Sequence, residues 1–269
     1  MHGLGNDFVV IDGTEQTIRF SQEQYKQIAD RHFGIGCDQI LLIEQSSNPQ
    51  ADFRYRIFNA DGSEVEQCGN GIRCFARYVK DQQLTNKITI AVETRSGIVY
   101  PRLEENGEVT VNMGIPECEP RLIPFLAEKK SVDYLLRIGN RHINIGAVSI
   151  GNPHAVLLVD DLDNAPVAEL GPLIEQDRHF PNKVNVGFMQ VINSDHIRLR
   201  VHERGVGETL ACGTGACAAV VVGRQQGLIN DKVTVQLPGG RLFIHWPGNG
   251  RPVWMTGPAS YVYEGTITL

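Results

Sequence analysis

The chain has no run of the roughly eighteen consecutive apolar residues that a membrane-crossing helix needs. No membrane partner is expected. Its first residues, Met-His-Gly-Leu-Gly-Asn-Asp, lack the basic flank and apolar core of a secretory leader, so the sequence predicts a cytoplasmic location. Positive charge is scarce as well: 25 Lys and Arg stand against 31 Asp and Glu, for a net charge of −6, and no basic cluster stands out along the chain. Nucleic acid binding relies on such a cluster and is not expected. The six cysteines, in that compartment, read as thiols rather than as a disulfide framework. Zinc knuckles are missing too, because they place two to four residues between ligands, whereas five lie between Cys68 and Cys74 and four between Cys212 and Cys217. On a helix those pairs would point about 120° and 140° apart. No metal is expected, and Cys37, Cys74, Cys118 and Cys217 read as small buried hydrophobes. No lysine sits in a recognisable cofactor motif, so pyridoxal phosphate is not expected either.

What remains is a chain of 269 residues, 42% hydrophobic and 21% charged, long enough for two domains with sizeable cores. Its most informative feature is a Cys-Gly-x-Gly segment in each half, Cys68-Gly69-Asn70-Gly71 and Cys212-Gly213-Thr214-Gly215. Each cysteine follows a polar residue by nine positions, Asn59 and Glu203, and each of those follows an arginine by three, Arg56 and Arg200. Further upstream, Asn6 to Gln39 and Asn152 to Asn185 are both separated by 33 residues. A register held over half a chain implies internal duplication. Two related halves, each supplying one thiol, suggest a cleft with a cysteine on either side.

Alternation and β-branched runs predict short strands at 8–11, 40–43, 55–58, 88–92 and 108–112, and again at 155–159, 188–192, 197–201, 233–237 and 242–246. A surface helix is expected near 21–31, and one helix opens at each cysteine motif. The second of these, Ala-Cys-Ala-Ala-Val-Val-Val over 216–222, is apolar all round and should be buried on every side, as inside a wrapped sheet. Pro116, Pro120 and Pro124 mark a boundary near 112–125.

A cysteine directly before Gly-x-Gly at a helix start lies beside unpaired N–H groups and the positive end of the helix dipole. Both favour thiolate, which predicts pKa values below the ordinary 8.5 or so. The same N–H groups form an anion site, and the glycines let a ligand approach the backbone. Two such termini facing one carboxylate would suit removal of an α-proton from one face and its return on the other.

Met1-His-Gly-Leu-Gly-Asn-Asp-Phe8, Phe58-Asn-Ala-Asp-Gly-Ser63, Gln67-Cys-Gly-Asn-Gly-Ile-Arg-Cys-Phe-Ala76, Gly151-Asn-Pro-His154 and the run Glu203–Cys217 resemble the diaminopimelate epimerases, cofactor-independent amino-acid epimerases. The resemblance covers essentially the whole chain. It implies interconversion of LL- and meso-2,6-diaminopimelate on the route to lysine and the peptidoglycan cross-link, with no cofactor, in a homodimer. The implied fold is α/β (α+β) with two pseudo-symmetric domains, each a mostly antiparallel β-barrel wrapped around a central helix. The first would span 1–112, with a last strand within 258–269 returning to it, and the second 113–257. The family pattern opens a few residues earlier, with a short strand ending in Lys-Met-His-Gly, so Met1 is expected to match an internal methionine of that segment.

Position by position, the resemblance implies that Cys68 and Cys212 are the acid–base pair, with Cys212 accepting and Cys68 donating a proton in the LL-to-meso direction. Gly69, Asn70, Gly213 and Thr214 match the cradle for the reacting carboxylate. Asn6, Gln39, Asn59, Asn152, Asn185, Glu203 and Arg204 match substrate contacts. His154 and Glu203 match positions that tune the thiol pKa values, and Tyr263 matches a dimer contact. Two other readings compete. Proline and hydroxyproline racemases also pair two cysteines, but need no cation for a distal carboxylate, so Arg204 beside Glu203 argues against them. A thiol switch closing Cys68 onto Cys212 would show no solvent exchange of an amino-acid α-proton.

Overall fold

The computed structural model describes residues 1–65 and 69–268. They form two compact units, Met1–Asn112 together with the chain from Thr256 onward, and Met113–Met255. The described architecture is mixed α/β, with few helices and much sheet.

In the first unit, β1 (His2–Gly3) turns through Leu4 and Gly5 into the antiparallel β2 (Asn6–Gly13). Gly5 has φ 90°, a left-handed value that costs glycine little. The chain crosses through α1 (Gln22–Ala29) to β3 (Gln39–Glu44), parallel to β2. Helix α1 starts where Ser21 and Gln24 cap each other's backbone N–H groups. Strand β4 (Phe53–Asn59) lies antiparallel to β3, and β5 (Glu64–Val65) folds back on β4. After α2 (Gly69–Asp81), β6 (Val92–Thr94) returns parallel to β4 and β7 (Gly97–Val99) pairs with β6. A hairpin of β8 (Arg102–Leu103) and β9 (Val109–Asn112) follows.

The second unit repeats this order. After the hairpin of β10 (Tyr134–Ile138) and β11 (Arg141–Ser149), β12 (Pro153–Leu158) crosses through α3 (Val167–Glu175) to a parallel β13 (Asn185–Asn193). Strand β14 (His196–Glu203) is antiparallel to β13, and β15 (Gly207–Thr209) folds back on β14. Then come α4 (Gly213–Gln225), β16 (Lys232–Leu237) parallel to β14, and β17 (Gly240–His245) antiparallel to β16. β18 (Trp254–Gly257) follows. The register repeats as well: the residue two beyond Asn6, Phe8, stands opposite Gln39, and the residue two beyond Asn152, His154, stands opposite Asn185. The duplication read from the sequence is thus visible as a repeated pairing pattern.

Each unit packs strands against one largely buried helix, α2 in the first and α4 in the second. From Gly215 to Gly223 every residue of α4 is buried, and the helix touches β11, β12, β13, β14 and β17. Three adjacent valines, 220–222, are each no more than 1% exposed. Full burial of one such side chain stabilises by about 1.5–3 kcal/mol, so α4 is held by packing despite its β-branched run. Helix α2 is buried along Ile72, Arg73, Cys74, Phe75, Ala76 and Val79.

Ten strands were expected, and nine of them lie inside an observed strand or overrun one by a single residue. The run at 88–92 is an exception: only Val92 belongs to a strand, while Thr89 makes an isolated bridge to Arg102, because neighbouring backbone groups bond one at a time to Pro101 and Asp52 rather than to a ladder. The 242–246 strand ends at His245, and Trp246 bonds Asp231 instead. No strand forms over 261–268 either. The edge available there is the two-residue β1, and Ser260 exhausts it with paired bonds to His2 at 2.9 Å each. Cys37, Cys74 and Cys217 are buried as expected, but Cys118 is half-exposed and its sulfur accepts from Gln225 at 3.1 Å.

Candidate active site

In the second unit most of the sequence-predicted residues form one connected set. Cys212 is the N-cap of α4, with φ −125° and ψ 109°, and its carbonyl accepts the Ala216 N–H that starts the helix. The side chain is buried, 4% exposed. Its Sγ lies 3.6 Å from Thr214 Oγ1, and Thr214 Oγ1 accepts from Asn152 Nδ2 at 3.3 Å. Asn152 Oδ1 then meets His154 Nε2 at 3.1 Å. Asn152 leaves the β11–β12 turn just after Gly151, whose φ of 84° suits glycine. The thiol also hydrogen-bonds to Glu203, whose Oε1 accepts from Thr209 Oγ1 at 2.6 Å. Asn185 ties the set to the next turn: its Nδ2 donates to the Pro153 carbonyl at 3.0 Å and its Oδ1 accepts the Arg204 N–H at 3.0 Å. Arg204 is exposed, with one guanidinium arm on the Asn182 carbonyl at 2.9 Å.

The electrostatics correct one expectation. Burial, and then the Glu203 carboxylate, push the Cys212 thiol well above its ordinary range. The bonds from Thr214 and the Gly215 N–H pull the other way, as the helix terminus should, but they are outweighed. Cys212 therefore rests as a neutral thiol. His154 is completely buried, and desolvation followed by the positive charge of Arg204 lowers its pKa to about 3. The imidazole is therefore neutral at pH 7, and a hydrogen-bonded chain through Asn152 and Thr214 joins it to the thiol. With Asn152 Oδ1 as acceptor, His154 Nε2 carries the proton, and Nδ1 is buried without a partner among the described residues.

In the first unit the predicted residues form two groups. Asn6 accepts from Asn70 Nδ2 at 3.3 Å and donates to Asp38 at 2.9 Å, and Asp38 in turn is held with Asp7 by the Arg31 guanidinium. Gln39 and Asn59 face each other across β3 and β4, joined at 2.9 Å, and Asn59 Nδ2 reaches Ser63 at 3.3 Å. Gly69 begins α2, and its carbonyl accepts from Arg73 at 2.9 Å. Cys68 lies outside the described residues. Tyr263 stands apart from both groups, 64% exposed on the returning C-terminal segment.

Several residues matter here that motif reading did not single out. Arg73 is fully buried, bonding Asn70 Oδ1 at 2.8 Å and the Pro258 carbonyl at 3.2 Å, so one guanidinium fixes the Gly-Asn-Gly turn and the returning chain. The repeated arginines prove structural. Arg56 makes a bidentate pair with Glu64 at 2.9 Å in both arms, and Arg200 pairs likewise with Glu208 at 2.6 and 2.9 Å. Each staples a short returning strand to the edge that carries Asn59 or Glu203. The spacing of eight residues between arginine and glutamate in both halves was the available signal. Among the described residues, no group of three or more His, Cys, Asp or Glu side chains is placed to hold a metal, and no helix is long and apolar enough to cross a membrane.

The fold is shared with solved structures of several proteins. A phenazine biosynthesis protein of the PhzF family from Bacillus anthracis superposes with a TM-score of 0.69 at 17% identity, covering 100% of this chain and 95% of that one. A probable proline racemase from Agrobacterium radiobacter gives 0.65 at 16% identity, over 95% and 88%. At such identities the likeness concerns the fold alone. Sequence is more specific: the diaminopimelate epimerase family pattern matches residues 1–119 and 146–262, and a diaminopimelate epimerase of Nitrosospira multiformis is 60% identical over 269 residues, 100% of this chain and 97% of that protein. The chain belongs to the diaminopimelate epimerase family.

Proposed function

We propose that this protein interconverts LL- and meso-2,6-diaminopimelate by moving a proton at one α-carbon between two thiols, serving lysine synthesis and the peptidoglycan precursor. Family membership supports the substrate class, a small diamino diacid. The observation that carries the chemistry is the placement of Cys212, buried at the start of α4 with Thr214 and Glu203 as hydrogen-bond partners. A resting thiol cannot take a proton until it has lost its own, and Glu203 is the group in contact that can receive it. In the LL-to-meso direction, Cys212 passes its proton to Glu203, and the thiolate removes the α-proton. The Cys68 thiol then protonates the opposite face. Negative charge grows on the substrate carboxylate as the proton leaves, and N–H groups at Gly69, Asn70, Gly213 and Thr214 are the donors that would meet it. His154, neutral and bonded to Asn152, orients the Asn152–Thr214 chain toward the thiol.

At the distal end of the substrate, Asn6, Gln39, Asn59, Asn152, Asn185 and Glu203 supply polar contacts, and Arg204 pairs its remaining guanidinium N–H groups with the second carboxylate. The protein works as a cytoplasmic homodimer, with exposed Val262 and Tyr263 in the contact. Incubating the reduced protein with LL-diaminopimelate and resolving the product by chiral chromatography tests the reading. Meso product is expected. Release of α-tritium from proline but not from diaminopimelate would favour a proline racemase, and no exchange with either would favour a thiol switch.

A further inference from the structure

The turn that carries Glu203 and Arg204 rests on a buried carboxylate that no motif marks. Glu175, the last residue of α3, is 5% exposed. Its Oε2 lies 2.8 Å from Nε2 of His202, the residue just before Glu203 on β14, and His202 is 7% exposed. Its Oε1 accepts the N–H of Gly205, just after Arg204, at 3.1 Å. The same oxygen lies 3.5 Å from Lys183 Nζ, and Lys183 follows Asn182, whose carbonyl holds the Arg204 guanidinium. One carboxylate thus grips the chain on both sides of the Glu203–Arg204 pair and also the loop on which Arg204 leans. The space for the imidazole depends on Gly171, one turn earlier in α3: a Cβ there would sit 2.7 Å from His202 Cγ. Burial alone would raise the Glu175 pKa, but the bonds from His202, Gly205 and Lys183 more than offset it and hold the carboxyl below its usual range. The group is therefore charged and satisfied, the condition under which a buried carboxylate orders its surroundings rather than disrupting them.

We infer that Glu175 is a positioning residue for epimerisation, locking the Glu203–Arg204 turn through Gly205 and His202 so that Arg204 meets the distal carboxylate. This rests on the function proposed above. Glu175→Ala leaves the Gly205 N–H and the buried His202 imidazole without their partner, so KM for diaminopimelate should rise by about tenfold while kcat falls by less than about threefold. Glu175→Gln keeps an acceptor oxygen for Gly205 and should recover most of the KM. In an Arg204→Met background, Glu175→Ala should raise KM by less than about twofold more, since it acts through Arg204.

Hydrogen exchange at the Gly205 amide reads the latch without any turnover, and protection should be lost in Glu175→Ala and kept in Glu175→Gln. Parental KM in folded Glu175→Ala, unchanged Gly205 protection, or a full tenfold effect in the Arg204→Met background would each overturn the proposal. If Glu175→Ala does not fold, Glu175→Asp, one methylene shorter, reads the same split: a raised KM supports the latch and a parental KM overturns it. If the parent protein does not epimerise diaminopimelate, the functional reading fails, while the Gly205 exchange still decides the latch.

Discussion

Replacing Gly71 by alanine sets two effects against each other inside α2. Helix propensity favours alanine by roughly 1 kcal/mol. Packing opposes it, because the new Cβ would lie 2.4 Å from the Tyr55 hydroxyl oxygen, 3.2 Å from Leu41 Cδ2 and 3.4 Å from Phe8 Cε1. Tyr55 is 2% exposed with its ring edge-on to Phe75 at 5.6 Å, and Leu41 is fully buried, so neither has room to retreat. Overpacking of a dense core costs about 1–3 kcal/mol, and so close a contact with a rigid ring belongs at the upper end. The net loss is about 1–2 kcal/mol, which in a chain of this size lowers the melting temperature by about 2–8 °C. At the equivalent Gly215 the nearest atoms are Val201 Cγ2 at 3.0 Å and Cys212 Cβ and Sγ at 3.2 Å. Small shifts relieve those contacts, so propensity and strain should nearly cancel. The Cys212 thiol is among the atoms that must shift, so turnover should suffer more than stability. Thermal melts of both variants, with turnover measured alongside, test the reasoning. A Gly71→Ala melt at or above the parent would refute the packing argument, and parental turnover in Gly215→Ala would show that the thiol had not been displaced.

Arg204→Met should cost roughly 2–5 kcal/mol in kcat/KM for diaminopimelate, and lysine, which lacks the distal carboxylate, should be a poor substrate of the parent. Lysine turned over as fast as diaminopimelate would remove Arg204 from its role. Because the Glu203 charge helps hold the Cys212 thiol up, Glu203→Gln should lower that pKa, and iodoacetamide should alkylate Cys212 faster at neutral pH; an unchanged rate, read by peptide mass spectrometry, would contradict the assignment. His154 titrates near 3 when folded and near 6.5 when unfolded, so as pH falls the unfolded chain takes the proton first. Its contribution is therefore fully favourable above pH 6.5 and lost progressively toward pH 3, by about 2 kcal/mol at pH 5. Urea midpoints at pH 7.5 and pH 5 should fall further for the parent than for His154→Gln, and equal falls would place the acid sensitivity elsewhere.

The repeat was legible in the sequence because the functional residues themselves mark its register. Apolar runs such as Ile40–Ile43, buried on both faces, revealed the central strands, and the valine-rich stretch of α4 revealed a helix buried on every side. The nine-residue β11 went unseen, since Arg, His and Asn alternate through its first half and its apolar residues cluster at the end. Long-range polar partners left no local trace. Arg73 meets the Pro258 carbonyl 185 positions away, and Glu175 meets His202 27 positions away, so neither burial could be read from neighbours in the chain. The Cys212 titration was misjudged for a related reason: the helix start is a local feature, whereas the burial and the Glu203 charge that outweigh it arise only on folding.

The central claim is that two different thiols serve the two faces of one carbon, and deuterium labelling tests it most directly. Starting from LL-diaminopimelate in D₂O, early meso product should carry deuterium at the inverted carbon, because the donor thiol has equilibrated with solvent. Recovered LL-substrate should carry little, since the proton removed by Cys212 is not returned from solvent to the same face. Cys68→Ala and Cys212→Ala should each abolish epimerisation. Equal early labelling of substrate and product, or substantial turnover in either variant, would show that a single base serves both faces.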